Sequence, residues 1–159
     1  MKEYGVVLEN VSLRDFNTYK IGGIARYIVK PNSIENLIKL IGYLDEENIK
    51  YIVLGKGSNV ILPDEDFEGV IILLDYLNKV NIIDNIVEAE VGIRLSAFIM
   101  SIINNELGGL ENLCGIPGTL GGAIVGDNNP NGDNNTDLPT VDDENPNQPE
   151  SIDPYAKYT

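Results

Sequence analysis

The sequence predicts an α+β fold, a small α/β lobe followed by a partial antiparallel α+β lobe. Three observations carry that prediction. A strand-like segment, an amphipathic helix and a buried-strand run succeed one another over residues 25–54. Beyond residue 78 the style changes to two alternating segments joined by Asp84-Asn85. Two glycine-rich loops, Gly55 to Asn59 and Gly115 to Gly122, punctuate these patterns. Such loops give up side-chain packing at an entropic cost, which a chain tolerates where backbone must approach something closely.

Ala25 to Val29 reads as a strand closed by Pro31. Ser33 is a good N-cap for a helix running to near Asn48, in which Ile34, Leu37, Ile38, Ile41 and Leu44 recur at helical spacing. Tyr51 to Leu54 is a continuous apolar run of strand length, the pattern of a strand covered on both faces. After the first glycine loop, Val60 to Leu62 reads as a short strand stopped by Pro63, and Val70 to Leu74 as a buried one. Val80 to Ile83 and Ile86 to Val91 form an expected hairpin, with Val87, Ala89 and Val91 alternating against Glu88 and Glu90. Ser96 is the expected cap of a helix to about Leu107, with Ile99, Ile102, Ile103 and Leu107 inward and Gly108-Gly109 ending it. This organisation gives a first lobe over residues 1–77, a partial second lobe over 78–124 and a tail over 125–159.

The tail is distinct in composition. Residues 1–124 hold 10 basic and 17 acidic side chains, whereas residues 125–159 hold 1 basic and 8 acidic, with five of the eight prolines and seven asparagines. So acidic and weakly apolar a stretch predicts disorder, because it offers little surface whose burial would offset ordering. Across the chain the net charge of −14 argues against a nucleic-acid partner, since phosphate contacts need clustered Lys and Arg. One cysteine and no histidine exclude a disulfide framework and a Cys/His metal site. No leader-like or membrane-length apolar run is present, so the expected location is cytoplasmic. Unpaired Cys114 is expected to be a small buried side chain.

Gly55-Lys56-Gly57-Ser58 invites two labels that fail. A P-loop needs a glycine at position 50, which is lysine, and a dinucleotide fingerprint needs glycine at position 60, which is valine. What remains is a turn whose amides, with the Ser58 hydroxyl and the Asn59 amide, can form a nest for a pyrophosphate. In the second loop Pro117 is expected in the first turn of a helix, with Gly118 and Thr119 exposing free amides to an anion. Gly121 and Gly122 would admit a flat ring or a neighbouring backbone.

Three segments in order, Asn17-Thr18-Tyr19-Lys20-Ile21-Gly22-Gly23-Ile24-Ala25, Val53 to Val60 and Gly109 to Ala123, resemble the bacterial UDP-N-acetylenolpyruvoylglucosamine reductase family. The likeness covers about residues 8–124. It implies an FAD-binding domain of the vanillyl-alcohol-oxidase type, with the flavin between the two lobes. It also implies a reaction in which NADPH reduces the flavin and hydride passes to the enolpyruvyl group of a UDP-sugar, giving UDP-N-acetylmuramate for peptidoglycan. Carried over by position, Leu54, Gly55, Lys56, Gly57, Ser58 and Asn59 would hold the FAD pyrophosphate. Gly115, Ile116, Pro117, Gly118, Thr119, Gly121 and Gly122 would line the pyrophosphate and ring side, and Ala123 and Ile124 would continue along the flavin. Asn17, Thr18 and Gly23 take a structural role around the site, and Glu111 and Asn112 pin the second loop by hydrogen bonds.

Val125 begins a stretch without the family's later motifs, so no catalytic residue is carried over and this chain alone is expected to lack a complete active site. The second lobe is expected to keep an open sheet edge. Two other readings stand beside the shortened reductase. One is a non-catalytic flavin- or partner-binding module with an acidic interaction tail. The other is a working oxidoreductase completed by another chain.

Overall fold

The computed structural model describes residues 1–127 and 157–158, and builds them into a four-stranded and a three-stranded sheet with three α-helices. The first sheet has the order β1-β2-β4-β3, formed by β1 (Gly5–Ser12), β2 (Ile24–Pro31), β3 (Tyr51–Leu54) and β4 (Phe67–Leu73). β1 runs antiparallel to β2, while β2 and β3 both pair parallel with β4. Central β4 is the most deeply buried of these strands, and Val70 to Leu73 are all buried, as a strand covered on both faces must be.

Helix α1 (Ile34–Glu46) covers one face. Its start is fixed by Ser33, whose Oγ accepts from the Asn36 amide at 3.2 Å, and Glu35 pairs with Lys39 one turn on at 2.7 Å. Leu37, Leu40 and Leu44 pack on Val29, Val70 and Ile72. The buried stripe is rotated from the expected one: Leu40 is fully buried and Ile38 is 53% exposed, because the track 37-40-44 meets the sheet. The opposite face is covered by irregular chain, with Leu13 and Leu62 against Ala25, Ile28, Leu54 and Ile71.

Val60 to Leu62 is not a strand, since no neighbouring strand offers it a ladder. Leu62 instead caps the core, and the adjacent Pro63 carbonyl accepts from the Gly23 amide at 3.0 Å. β1 is an addition to the expected elements.

In the second sheet, β5 (Val80–Ile83) and β6 (Ile86–Ala89) form the expected hairpin, with Asp84 in the left-handed region at φ 53°. β7 (Lys157–Tyr158) joins the free edge of β6, with Tyr158 opposite Val87 and Lys157 opposite Glu88. Helix α2 (Leu95–Asn104) buries Leu95, Phe98, Ile99 and Ile102 against Ile93 and Leu120. Ile103, expected inward, is 40% exposed. Ser96 does not cap α2; Arg94 precedes the helix and Ser96 lies in its first turn. Helix α3 (Leu120–Asp127) carries regular structure past the expected tail boundary at residue 125, and residues 157–158 are strand. The rest of the acidic stretch, for which disorder is the expectation, lies outside the described residues. Val91 sits in the first core beside Leu74 and Leu77, so the two lobes share buried surface.

Candidate functional site

The first glycine loop leaves β3 at Leu54 and turns across the opening segment. Gly57 is left-handed at φ 61°, and a Cβ there would overlap the Phe16 carbonyl and lie 2.8 Å from the Asn17 Cα. Only glycine allows that approach, which brings the Gly57 carbonyl 2.9 Å from the Thr18 amide. Asn17 makes the platform rigid. It is 4% exposed, and its Nδ2 donates to the carbonyls of Leu13 at 2.8 Å and Ile21 at 2.7 Å. Gly23 is held by close backbone too, since a Cβ there would meet the carbonyls of Asp64 and Glu65. With their geometry thus imposed from below, the amides of Lys56, Gly57, Ser58 and Asn59 donate to no protein acceptor among the described residues.

The second loop departs from its expected form. Pro117 is not in the first turn of a helix; α3 starts at Leu120, and Thr119 Oγ1 accepts from the Gly122 amide at 3.2 Å as a cap. The first helical amides are committed, Leu120 to the Ile93 carbonyl at 2.9 Å and Gly121 to the Val91 carbonyl at 2.8 Å. The amides expected to face an anion, those of Gly118 and Thr119, are not among these and donate to no protein acceptor among the described residues. The Leu95 amide donates in turn to the Gly118 carbonyl at 3.1 Å, so α2 and α3 start from one antiparallel bridge between Arg94 and Thr119. Gly121 is required there by close packing, as a Cβ would stand 2.9 Å from the Val91 Cβ and 3.1 Å from the Val91 carbonyl oxygen.

Gly115 and Gly118 differ in kind. Their φ values of 93° and 146° favour glycine, yet nothing lies within 4 Å of where a Cβ would stand. Ile116 and Pro117 beside them are exposed, as is Cys114, contrary to the expectation that it is buried. Ala123 and Ile124 pack from α3 onto the second core. Glu111 fastens the approach to the loop, its Oε2 accepting from the Gly109 amide at 2.8 Å.

The two loops converge. A Cβ on Gly55 would stand 2.7 Å from Thr119 Oγ1, which places the start of the first loop against the cap of α3. A cavity of about 550 Å³ opens beside this junction, lined by Phe16, Thr18, Lys20, Gly55, Lys56 and Asp75 among others. Sequence reasoning missed Asp75, which follows a buried strand with no motif around it. Its carboxylate accepts from Lys30 Nζ at 2.9 Å and from Lys56 Nζ at 3.1 Å. Partial burial alone would raise its pKa, but the two lysine hydrogen bonds outweigh it and hold the carboxyl below its usual range. Lys20 adds a third ammonium group, on a residue left-handed at φ 58°.

A separate hollow of about 390 Å³ lies among Glu9, Asn10, Arg26, Asp66 and Glu68. Its carboxylates suit neither a phosphate nor the glycine loops, from which it is distinct. Among the described residues no group of His, Cys, Asp and Glu forms a metal cluster, and no helix is long and apolar enough to cross a membrane.

Chemically, the junction offers uncommitted amides and ammonium groups for a phosphate, and left-handed glycines beside open space for a flat surface. That combination fits a large cofactor bearing both. Residues 25–133 match the family described as FAD binding domain. UDP-N-acetylenolpyruvoylglucosamine reductase of Caldicellulosiruptor saccharolyticus is 42% identical over 117 residues, covering 74% of this chain and 38% of the relative. The enzyme of the same name from Carboxydothermus hydrogenoformans is 44% identical over 119 residues, with 74% and 39% covered. The crystal structure of UDP-N-acetylenolpyruvylglucosamine reductase from Thermus caldophilus superposes with a TM-score of 0.59 at 29% identity, covering 72% of this chain and 40% of that one. The chain thus spans about two fifths of the length of the relatives it matches.

Proposed function

The chain belongs to the FAD-binding domain family and FAD is its cofactor, and from that premise we propose that its two glycine loops hold the FAD of a UDP-N-acetylenolpyruvoylglucosamine reductase. The observation that most supports the reading is the contact between Gly55 and Thr119, which brings the two glycine loops together. The amides of Lys56 to Asn59 bind the pyrophosphate, with the Lys56 ammonium group as its counter-charge. Gly115 to Gly118 admit the flat ring system, because the space beside Gly115 and Gly118 is open. Ile116 and Pro117 supply apolar surface there, and Thr119, Gly121 and Gly122 fix the loop to α3.

When bound, FAD would supply two-electron chemistry for hydride transfer between NADPH and the enolpyruvyl group of the UDP-sugar. The product is UDP-N-acetylmuramate, a cytoplasmic precursor of peptidoglycan. The described residues contribute cofactor binding, and no side chain among them is assigned a proton-transfer step.

Titration of the purified chain with FAD, followed by quenching of flavin fluorescence, tests the reading. Saturable quenching that inorganic pyrophosphate competes away is the expected result. Absence of quenching by a protein shown to be folded would overturn it.

A further inference from the structure

Asp75 lies outside both glycine loops, yet it holds the one ammonium group in the first of them. Its two carboxylate oxygens are divided: Oδ1 accepts from Lys56 at 3.1 Å and Oδ2 from Lys30 at 2.9 Å. The two lysines stand differently. Lys30 is on β2 within the sheet, its side chain 20% exposed and its ammonium group 5.7 Å from the centre of the Phe16 ring. Lys56 is on the loop, with its side chain 37% exposed on the wall of the 550 Å³ cavity. A cation anchored in a sheet and over an aromatic face is the fixed partner, and a more exposed cation on a loop is the exchangeable one.

We propose that Asp75 and Lys30 form a positioning pair that holds Lys56 in reserve and releases it to the pyrophosphate of an entering dinucleotide. Lys30 makes the release inexpensive. When Lys56 turns away, the half-buried Asp75 keeps one full ion pair rather than standing as an unpaired charge, which would be costly. The pyrophosphate, with one negative charge on each of its two phosphoryl groups, outcompetes a carboxylate that already has a second cation. This proposal rests on the reading of the loops as an FAD site and adds to it a determinant of affinity that acts through Lys56.

The test is FAD titration of the full chain in the wild type, D75N, K30M, K56M and the double variants D75N/K56M and K30M/K56M, each first shown to be folded by circular dichroism. K56M is expected to weaken binding about tenfold. D75N frees Lys56 and is expected to tighten binding about threefold, while K30M leaves Asp75 dependent on Lys56 and weakens it about threefold. The decisive expectation is that both effects vanish in the K56M background, because they act through that side chain. If they persist there, they are general field effects and the exchange is overturned. D75N binding as weakly as K56M would also overturn it, by making Asp75 a support of the bound state. Should D75N not fold, K30M with K30M/K56M decides the question by the same criterion. A folded wild type that binds no FAD removes the site reading and the exchange together, whereas binding without the coupling removes only the exchange.

Discussion

Gly55 and Thr119, 64 positions apart in sequence, meet so closely that a methyl group on Gly55 would stand 2.7 Å from the Thr119 hydroxyl. The same hydroxyl accepts from the Gly122 amide and so caps α3. A single point thus ties the first glycine loop, on the four-stranded sheet, to the second loop and the helices of the other lobe.

Replacing Gly55 by Ala forces Thr119 to move and loosens its cap. The expected loss of stability is about 1–3 kcal/mol, the usual range for overpacking. Urea denaturation followed by circular dichroism measures it, and FAD affinity should fall in the same variant.

Thr119→Ala removes the capping oxygen, with an expected cost of about 1 kcal/mol. Thr119→Ser keeps the oxygen and should recover most of that loss in the same denaturation experiment. An equal loss in both variants would assign the effect to the methyl group.

Asn17→Ala leaves the Leu13 and Ile21 carbonyls without their donor beneath the first loop. Each such loss costs about 1–3 kcal/mol, so the variant should melt well below the wild type. Because Thr18 and Gly57 are joined by a backbone hydrogen bond just above, FAD binding should weaken further than stability alone explains. Comparing Kd with thermal midpoint across variants separates the two effects.

The Asp75 carboxyl is held below its usual range: burial opposes this, and the hydrogen bonds from Lys30 and Lys56 outweigh it. A depressed folded-state pKa contributes stability that is present above the unfolded value of about 3.9 and lost as pH falls through the lower folded value. The stability difference between wild type and D75N should therefore be constant near neutrality and shrink only in acid below that range. Denaturation midpoints measured from pH 7 downward check this sign.

Much of the fold is legible in the sequence because local chemistry decides it. Tyr51 to Leu54 is apolar throughout and becomes β3, which lies at the sheet edge with only Leu54 buried rather than covered on both faces, and Ser33 becomes the cap of α1. The Asp84-Asn85 turn likewise joins two strands. β1 is harder to read since it lies at a sheet edge, where its side chains alternate weakly between core and solvent. Val60 to Leu62 has the composition of a strand, but pairing is a tertiary property and no partner is there. The starts of α2 and α3 are set by the bridge between Arg94 and Thr119, so neither Ser96 nor Pro117 marks them.

The site is legible to a similar degree. Glycines announce both loops, but the sequence does not separate Gly57 and Gly121, which close packing requires, from Gly115 and Gly118, which border open space. Asp75 carries no local signal because its partners, Lys30 and Lys56, come from two other elements. Exposed Cys114 reverses the general tendency of unpaired cysteine, since it lies on the outer side of a loop facing solvent.

Assembly of one FAD site from the two loops is best tested by the visible absorption spectrum of the full chain after gel filtration with added FAD. A flavin band that co-elutes with the wild-type protein, and is lost from a folded Gly57→Val variant, is the predicted result. Folded wild-type protein that elutes without any flavin band would contradict the account.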